Sequence, residues 1–129
     1  MKEVYFIIPE FDHSITGGTL YDNNLVLELK KHHISIKEVR VHYKINTILL
    51  HKKINKIPKR SVILIDGYLV NKIRTRVTNR LNILIHHPCS MEISNNQMSN
   101  INLYLSERKA FNAAESLITV SKTMKKVLL

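Results

Sequence analysis

Two stretches, LNILIHHPCSMEISN at residues 81–95 and SERKAFNAAESLITVSKT at residues 106–123, decide how the chain is read. Ile83, Leu84 and Ile85 form a continuous apolar run that ends abruptly at His86, His87 and Pro88. Such a run, bounded by polar residues, is the pattern of a strand covered on both faces. The second stretch opens with a helical period, in which Ile101, Leu105, Arg108, Phe111 and Ala114 share one face. It then gives a second short apolar run, Leu117 to Val120, that stops at Ser121. Strand, polar loop, helix, strand and polar loop is the alternation of a parallel α/β sheet, which carries its working groups where the strands end.

The same alternation extends back to the first residue. Val4 to Ile8 is a buried-type strand closed by Pro9, and a loop from Glu10 to Gly18 follows it. Gly17 and Gly18 would let that loop take positive φ and approach a ligand closely. Thr19 can cap a helix with Asp22 in its first turn, where a carboxylate suits the helix dipole. Tyr21, Leu25, Leu29 and His32 then recur at helical spacing, with Val26 beside them. Ile34 to Val41 predicts a second strand, and Ile45, Ile48 and Leu49 a short helix. Ser61 to Ile65 predicts a third strand closed by Asp66-Gly67, and Leu69, Ile73 and Val77 a further helix. Ser121 starts a last helix with Met124, Val127 and Leu128. The expectation is a single domain over residues 1–129: a Rossmann-like, doubly wound parallel sheet of about five strands flanked by helices.

Composition sets the outer limits. A chain of 129 residues with 44% hydrophobic residues can bury a real core as one domain. No apolar run approaches the ~20 residues of a membrane-spanning helix. Glu3 and Glu10 flank the first apolar run and no small-residue cleavage site follows, so it reads as a strand and not as a signal peptide. The single cysteine, Cys89, leaves no internal disulfide framework and fits a reducing cytoplasm.

The net charge of +10 is concentrated. Residues 30–80 hold 14 Lys and Arg against 2 acids, whereas the remainder holds 6 against 8. A basic half of this kind can meet nucleic acid or an anionic leaflet. Codon bias toward Ile, Asn and Lys would produce the same composition. Aromatic residues are few, at 6%, and do not interleave with the basic runs, so the stacking platforms of a nucleic-acid binder are missing.

Each candidate for chemistry has a plainer reading beside it. The Gly17-Gly18 loop lies where such folds bind ligands, yet it is not a dinucleotide fingerprint, and Val41-His42-Tyr43 lacks the acid that would take a ribose hydroxyl. His86, His87 and Glu92 could suggest a metal, but adjacent histidines on an extended chain point apart, and no metal site is expected there. His86 at the end of a central strand is well placed to hydrogen-bond a substrate hydroxyl, and a structural histidine is the alternative. Asp66-Gly67 reads first as a turn. Arg108 falls on an apolar stripe, so Glu107 and Arg108 read as a structural pairing. Ser121 reads as an N-cap, and Cys89 beside His87 as an unlinked thiol.

Taken together, IIPEFDHSITGGTLYDNNLVLELKKHH (7–33), SVILIDGYL (61–69), LNILIHHP (81–88) and SERKAFNAAESLITVSKTM (106–124) resemble the N-terminal domain of a GT-B glycosyltransferase of the retaining family 4 type. The resemblance covers nearly the whole chain and lies in the order and spacing of motifs that are each weak alone. It implies that Gly17 and Gly18 lie against the diphosphate of a nucleotide-sugar donor. It also implies that His86 is the catalytic histidine touching the transferred sugar, and that His87, Ser121 and Thr123 line the cleft. The acceptor would sit on this domain, and its basic surface could dock on the inner face of an anionic membrane. No cofactor is implied. The family's second domain, which binds the nucleotide and sugar, has no counterpart in these residues. The expectation is therefore an acceptor-side domain that is inactive alone and needs a second domain or partner subunit; the rival readings are a basic binding module and a decayed remnant.

Overall fold

The computed structural model of the protein describes residues 3–12, 17–75, 77–86 and 114–119. Five parallel strands form one sheet: β1 (Val4–Glu10), β2 (Ile36–His42), β3 (Val62–Asp66), β4 (Arg80–Ile85) and β5 (Ser116–Thr119), in the spatial order β2-β1-β3-β4-β5. Helix α1 (Gly17–Lys31) joins β1 to β2, and α2 (Thr47–Asn55) joins β2 to β3. The chain thus leaves β1 toward one side, returns past it, and continues on the other. That reversal between β1 and β3 is the topological switch point at which open α/β sheets form ligand crevices beyond the carboxyl ends of the strands.

Side-chain alternation shows why the sheet is covered on both faces. Phe6 and Ile8 of β1, Leu64 of β3 and Leu84 of β4 pack with Val26 of α1 in one cluster. Ile7, Ile63, Ile65, Ile83 and Ile85, one residue out of phase, pack with Leu50 and Ile54 of α2 on the other face. Period-two alternation sends successive residues to opposite faces, so a strand apolar at every position must be buried twice. β2 lies at the edge, and only Ile36 and Val41 of its residues are buried. Each fully buried aliphatic side chain contributes roughly 1.5–3 kcal/mol relative to exposure, and the central strands carry most of them.

Three local expectations are corrected. β2 begins at Ile36, two residues later than the apolar alternation predicts. Gly17 and Gly18 form the first turn of α1 and not a loop before a Thr19 cap, and no described glycine has positive φ. Leu69, Ile73 and Val77 do not share an α-helix. Gly67–Lys72 is a 3-10 helix capped by Asp66, whose side chain accepts from Tyr68 N–H at 2.8 Å, and Ile73 is already extended. Gly67 lets this segment pack closely on β4, because a Cβ there would lie 3.1 Å from the carbonyl oxygen of Leu84. Leu69 and Val70 still enter the core, with Ile73 and Val77 partly buried against it. The end of α1 was also unannounced. His33 has φ 61°, while Ile34 N–H bonds to Leu29 O and His33 N–H to Lys30 O, the paired bonds of a Schellman cap.

Candidate functional site at the carboxyl edge

Three elements deliver one charged side chain each to the same point. Asp22 lies in the second turn of α1, Asp66 is the last residue of β3, and His86 follows β4 directly. Asp22 and Asp66 are buried, and Asp22 is fully so, whereas the His86 side chain keeps 19% of its exposure. The Nε2 atom of His86 lies 2.8 Å from Asp22 Oδ1 and 3.4 Å from Asp66 Oδ2. Asp66 uses its other oxygen, Oδ1, to accept from Tyr68 N–H. The Tyr21 ring meets the imidazole edge-on, with centroids 5.1 Å apart.

Burial and charge set the protonation of the cluster. Burial is the largest influence on His86 and works against its cation, but hydrogen bonds to Asp22 and Asp66 prevail and raise its pKa to about 9. Asp22 is raised to about 7, chiefly by burial, with the pull of His86 opposing and the neighbouring Asp66 adding to the rise. Burial also pushes Asp66 upward, but hydrogen bonds from His86, from Asp22 and from Tyr68 N–H outweigh it and hold Asp66 below its ordinary value. At neutral pH the cluster is therefore an imidazolium beside an ionised Asp66, with Asp22 near its titration midpoint. A histidine gripped in this way has a fixed ring orientation and a ready charge, the properties a binding or catalytic group needs.

The sequence readings fall unevenly on this geometry. His86 is at its centre, and α1, opened by Gly17 and Gly18, supplies Asp22. Asp66 is a turn residue as expected and also reaches His86. Asp22 is not in the first turn of α1, so its role is not with the helix dipole. A signal for it existed: Asp22 precedes Val26 by four residues and so lies on the buried face, where a carboxylate needs a partner. His87, Cys89, Glu92, Glu107, Arg108, Ser121 and Thr123 lie outside the described residues.

Part of the basic stretch gathers at the opposite edge of the sheet. There a cleft of about 690 Å³ is lined by Tyr5, Lys37, Lys59, Arg60 and Arg80, with Glu3 as its acid. Glu3 pairs with Lys37 at 3.3 Å, and Arg80 pairs with Glu115 at 3.7 Å. No helix among the described residues is long and apolar enough to cross a membrane. Searches of protein-family models and of curated proteins find no match to this chain.

Proposed function

We propose that this chain is the acceptor-side, Rossmann-like half of a sugar-transferring enzyme of the GT-B type, with His86 at its reaction centre and a second domain or partner chain completing the donor cleft. The observation that carries the reading is the grip of Asp22 and Asp66 on His86 at the carboxyl edge, beside the switch point of the sheet. A fixed imidazole there can hydrogen-bond a sugar hydroxyl. The N-terminus of α1 opens on the same edge and offers the positive end of a 15-residue helix to a diphosphate. Charge developing on a departing diphosphate must be met by preorganised donors. One helix end and one imidazolium are a partial set, so the chain alone is inactive in this reading.

Binding of nucleotide-sugars to the isotope-labelled chain, followed by NMR, tests the proposal. A UDP- or GDP-sugar at millimolar concentration is expected to shift the amides of Gly17, Gly18 and His86. No shift at those residues across a panel of nucleotide-sugars would overturn the reading. The basic cleft at the amino edge supports a second reading, a module that docks on anionic lipid. Binding to vesicles rich in phosphatidylserine that disappears at high salt, with no nucleotide-sugar response, would favour it.

A further inference from the structure

Hydrogen bonding alone does not use all the acceptors gathered around His86. One donor atom from each of Asp22, Asp66 and His86 lies within 4.8 Å of the other two. Nε2 of an imidazole carries a single hydrogen, so it can serve only one of the two carboxylates well. Independently of those contacts, Asp22 Oδ2 belongs to a fully buried side chain and accepts no hydrogen bond among the described residues. A buried carboxylate oxygen without a partner is costly, and a cation would satisfy it.

The three donors are close enough to converge on such an ion. For donors about 2.1 Å from a divalent metal, neighbouring donors are separated by roughly 3.0 Å in an octahedron and roughly 3.4 Å in a tetrahedron. Nε2 lies 2.8 Å from Asp22 Oδ1 and 3.4 Å from Asp66 Oδ2, and all three donors lie within 4.8 Å of one another, so an ion would draw the carboxylates slightly inward. Binding would displace the imidazolium proton and any proton on Asp22, leaving a neutral imidazole and two carboxylates whose two negative charges a divalent ion balances. Asp66 is steadied from outside by Tyr68 N–H, the kind of support that orients metal-binding carboxylates.

We propose that Asp22, Asp66 and His86 form a mononuclear site for a first-row divalent cation such as Zn²⁺ or Mn²⁺. One imidazole with two carboxylates suits these ions better than Mg²⁺ or Ca²⁺, which favour all-oxygen shells. The site joins α1 to the two central strands β3 and β4, so metal binding is coupled to the packing of the helix on the sheet. The inference stands on donor geometry and not on sugar transfer. A bound ion takes the Nε2 lone pair, and His86 then acts as its ligand.

The test uses the full chain stripped with chelator and titrated with Mn²⁺, Zn²⁺ or Mg²⁺. One equivalent of Mn²⁺ or Zn²⁺ is expected to bind at micromolar concentration and to raise the melting temperature by roughly 5 °C or more at saturating metal. Mg²⁺ at the same concentration is expected to do neither. Asp22→Asn is expected to weaken binding at least tenfold. No stoichiometric binding at 100-fold excess, or unchanged affinity in Asp22→Asn, would overturn the proposal. If that variant does not fold, X-ray absorption of the Zn²⁺-loaded wild type decides instead. A shell of oxygen donors with one imidazole supports the site, and a shell with sulfur or with several imidazoles refutes it.

Discussion

Replacing His86 with alanine isolates the energetic core of the site. It leaves Asp22 and Asp66 facing each other in the protein interior without the imidazolium that bridges them at 2.8 and 3.4 Å. Removing one partner from a buried charged pair costs about 3–5 kcal/mol, because the remaining charge stays desolvated. The His86 side chain is 19% exposed, so water can enter the space it leaves, and the lower end of that range applies. The expected loss is about 3 kcal/mol, a substantial part of the ~5–15 kcal/mol that stabilises a domain of this size. With a urea m-value of about 2 kcal/mol/M, the unfolding midpoint should fall by roughly 1.5 M at pH 7 in the presence of chelator. Asp22→Asn supplies the control. With a neutral amide in place of the buried carboxylate, the same His86→Ala change should cost about as much at pH 7, since Asp22 takes up a proton once the imidazolium is gone and Asp66 is the charge left uncompensated in either background. A midpoint shift under 0.3 M, on the scale of an exposed ion pair, would refute the reasoning. So would a shift in the Asp22→Asn background less than half of that in the wild type.

The metal-free protein should also lose stability as pH rises. His86 is raised from 6.5 to about 9 and Asp22 from 3.8 to about 7, so the folded state holds protons that the unfolded chain releases. The Asp22 contribution is fully present below 3.8 and is lost as pH rises through 7; that of His86 is fully present below 6.5 and is lost as pH rises through 9. Asp66, lowered, acts in the opposite sense, and its contribution fades as acid protonates it below its ordinary 3.8. Urea midpoints from pH 4 to 10 should therefore peak on the acidic side of neutrality, and a maximum at pH 9 would contradict this. His33→Gly should stabilise the protein by about 1 kcal/mol, because the left-handed conformation that closes α1 strains every residue except glycine; destabilisation would show that the imidazole makes a compensating contact. Gly67→Ala should cost about 1–2 kcal/mol, since its Cβ would meet the Leu84 carbonyl, an immobile backbone atom of a central strand. Thermal unfolding of these two variants checks both.

Apolar runs made the sheet legible. Val4–Ile8, Ser61–Ile65 and Leu81–Ile85 are apolar along most of their length because helices cover both faces, and no other element produces that pattern so compactly. The connection from β3 to β4 was misread for a physical reason. Leu69, Ile73 and Val77 have helical spacing, but Asp66 captures Tyr68 N–H and Gly67 packs on the β4 backbone, so the segment tightens into a 3-10 turn before an α-helix can extend. Of the face expected on α1, Leu25, Val26 and Leu29 do pack against the core, and its first position differs. Tyr21 is 42% exposed, while Asp22, Val26 and Leu29 turn inward. Sequence marked His86 by its place at the end of a strand, but not its partners. Asp22 is 64 residues away, and Asp66 looked complete as a turn residue. Periodicity reports which face a residue occupies and is silent on which distant side chain it meets.

Titration of the His86 imidazole is the most direct test of the site on which this account rests. In ¹⁵N-histidine NMR of the chelator-treated chain, with the resonance assigned by its loss in His86→Gln, His86 should stay protonated through neutral pH and titrate near 9. A midpoint near the ordinary 6.5 would mean that Asp22 and Asp66 do not hold the ring, and the proposed centre at the carboxyl edge would fail with it.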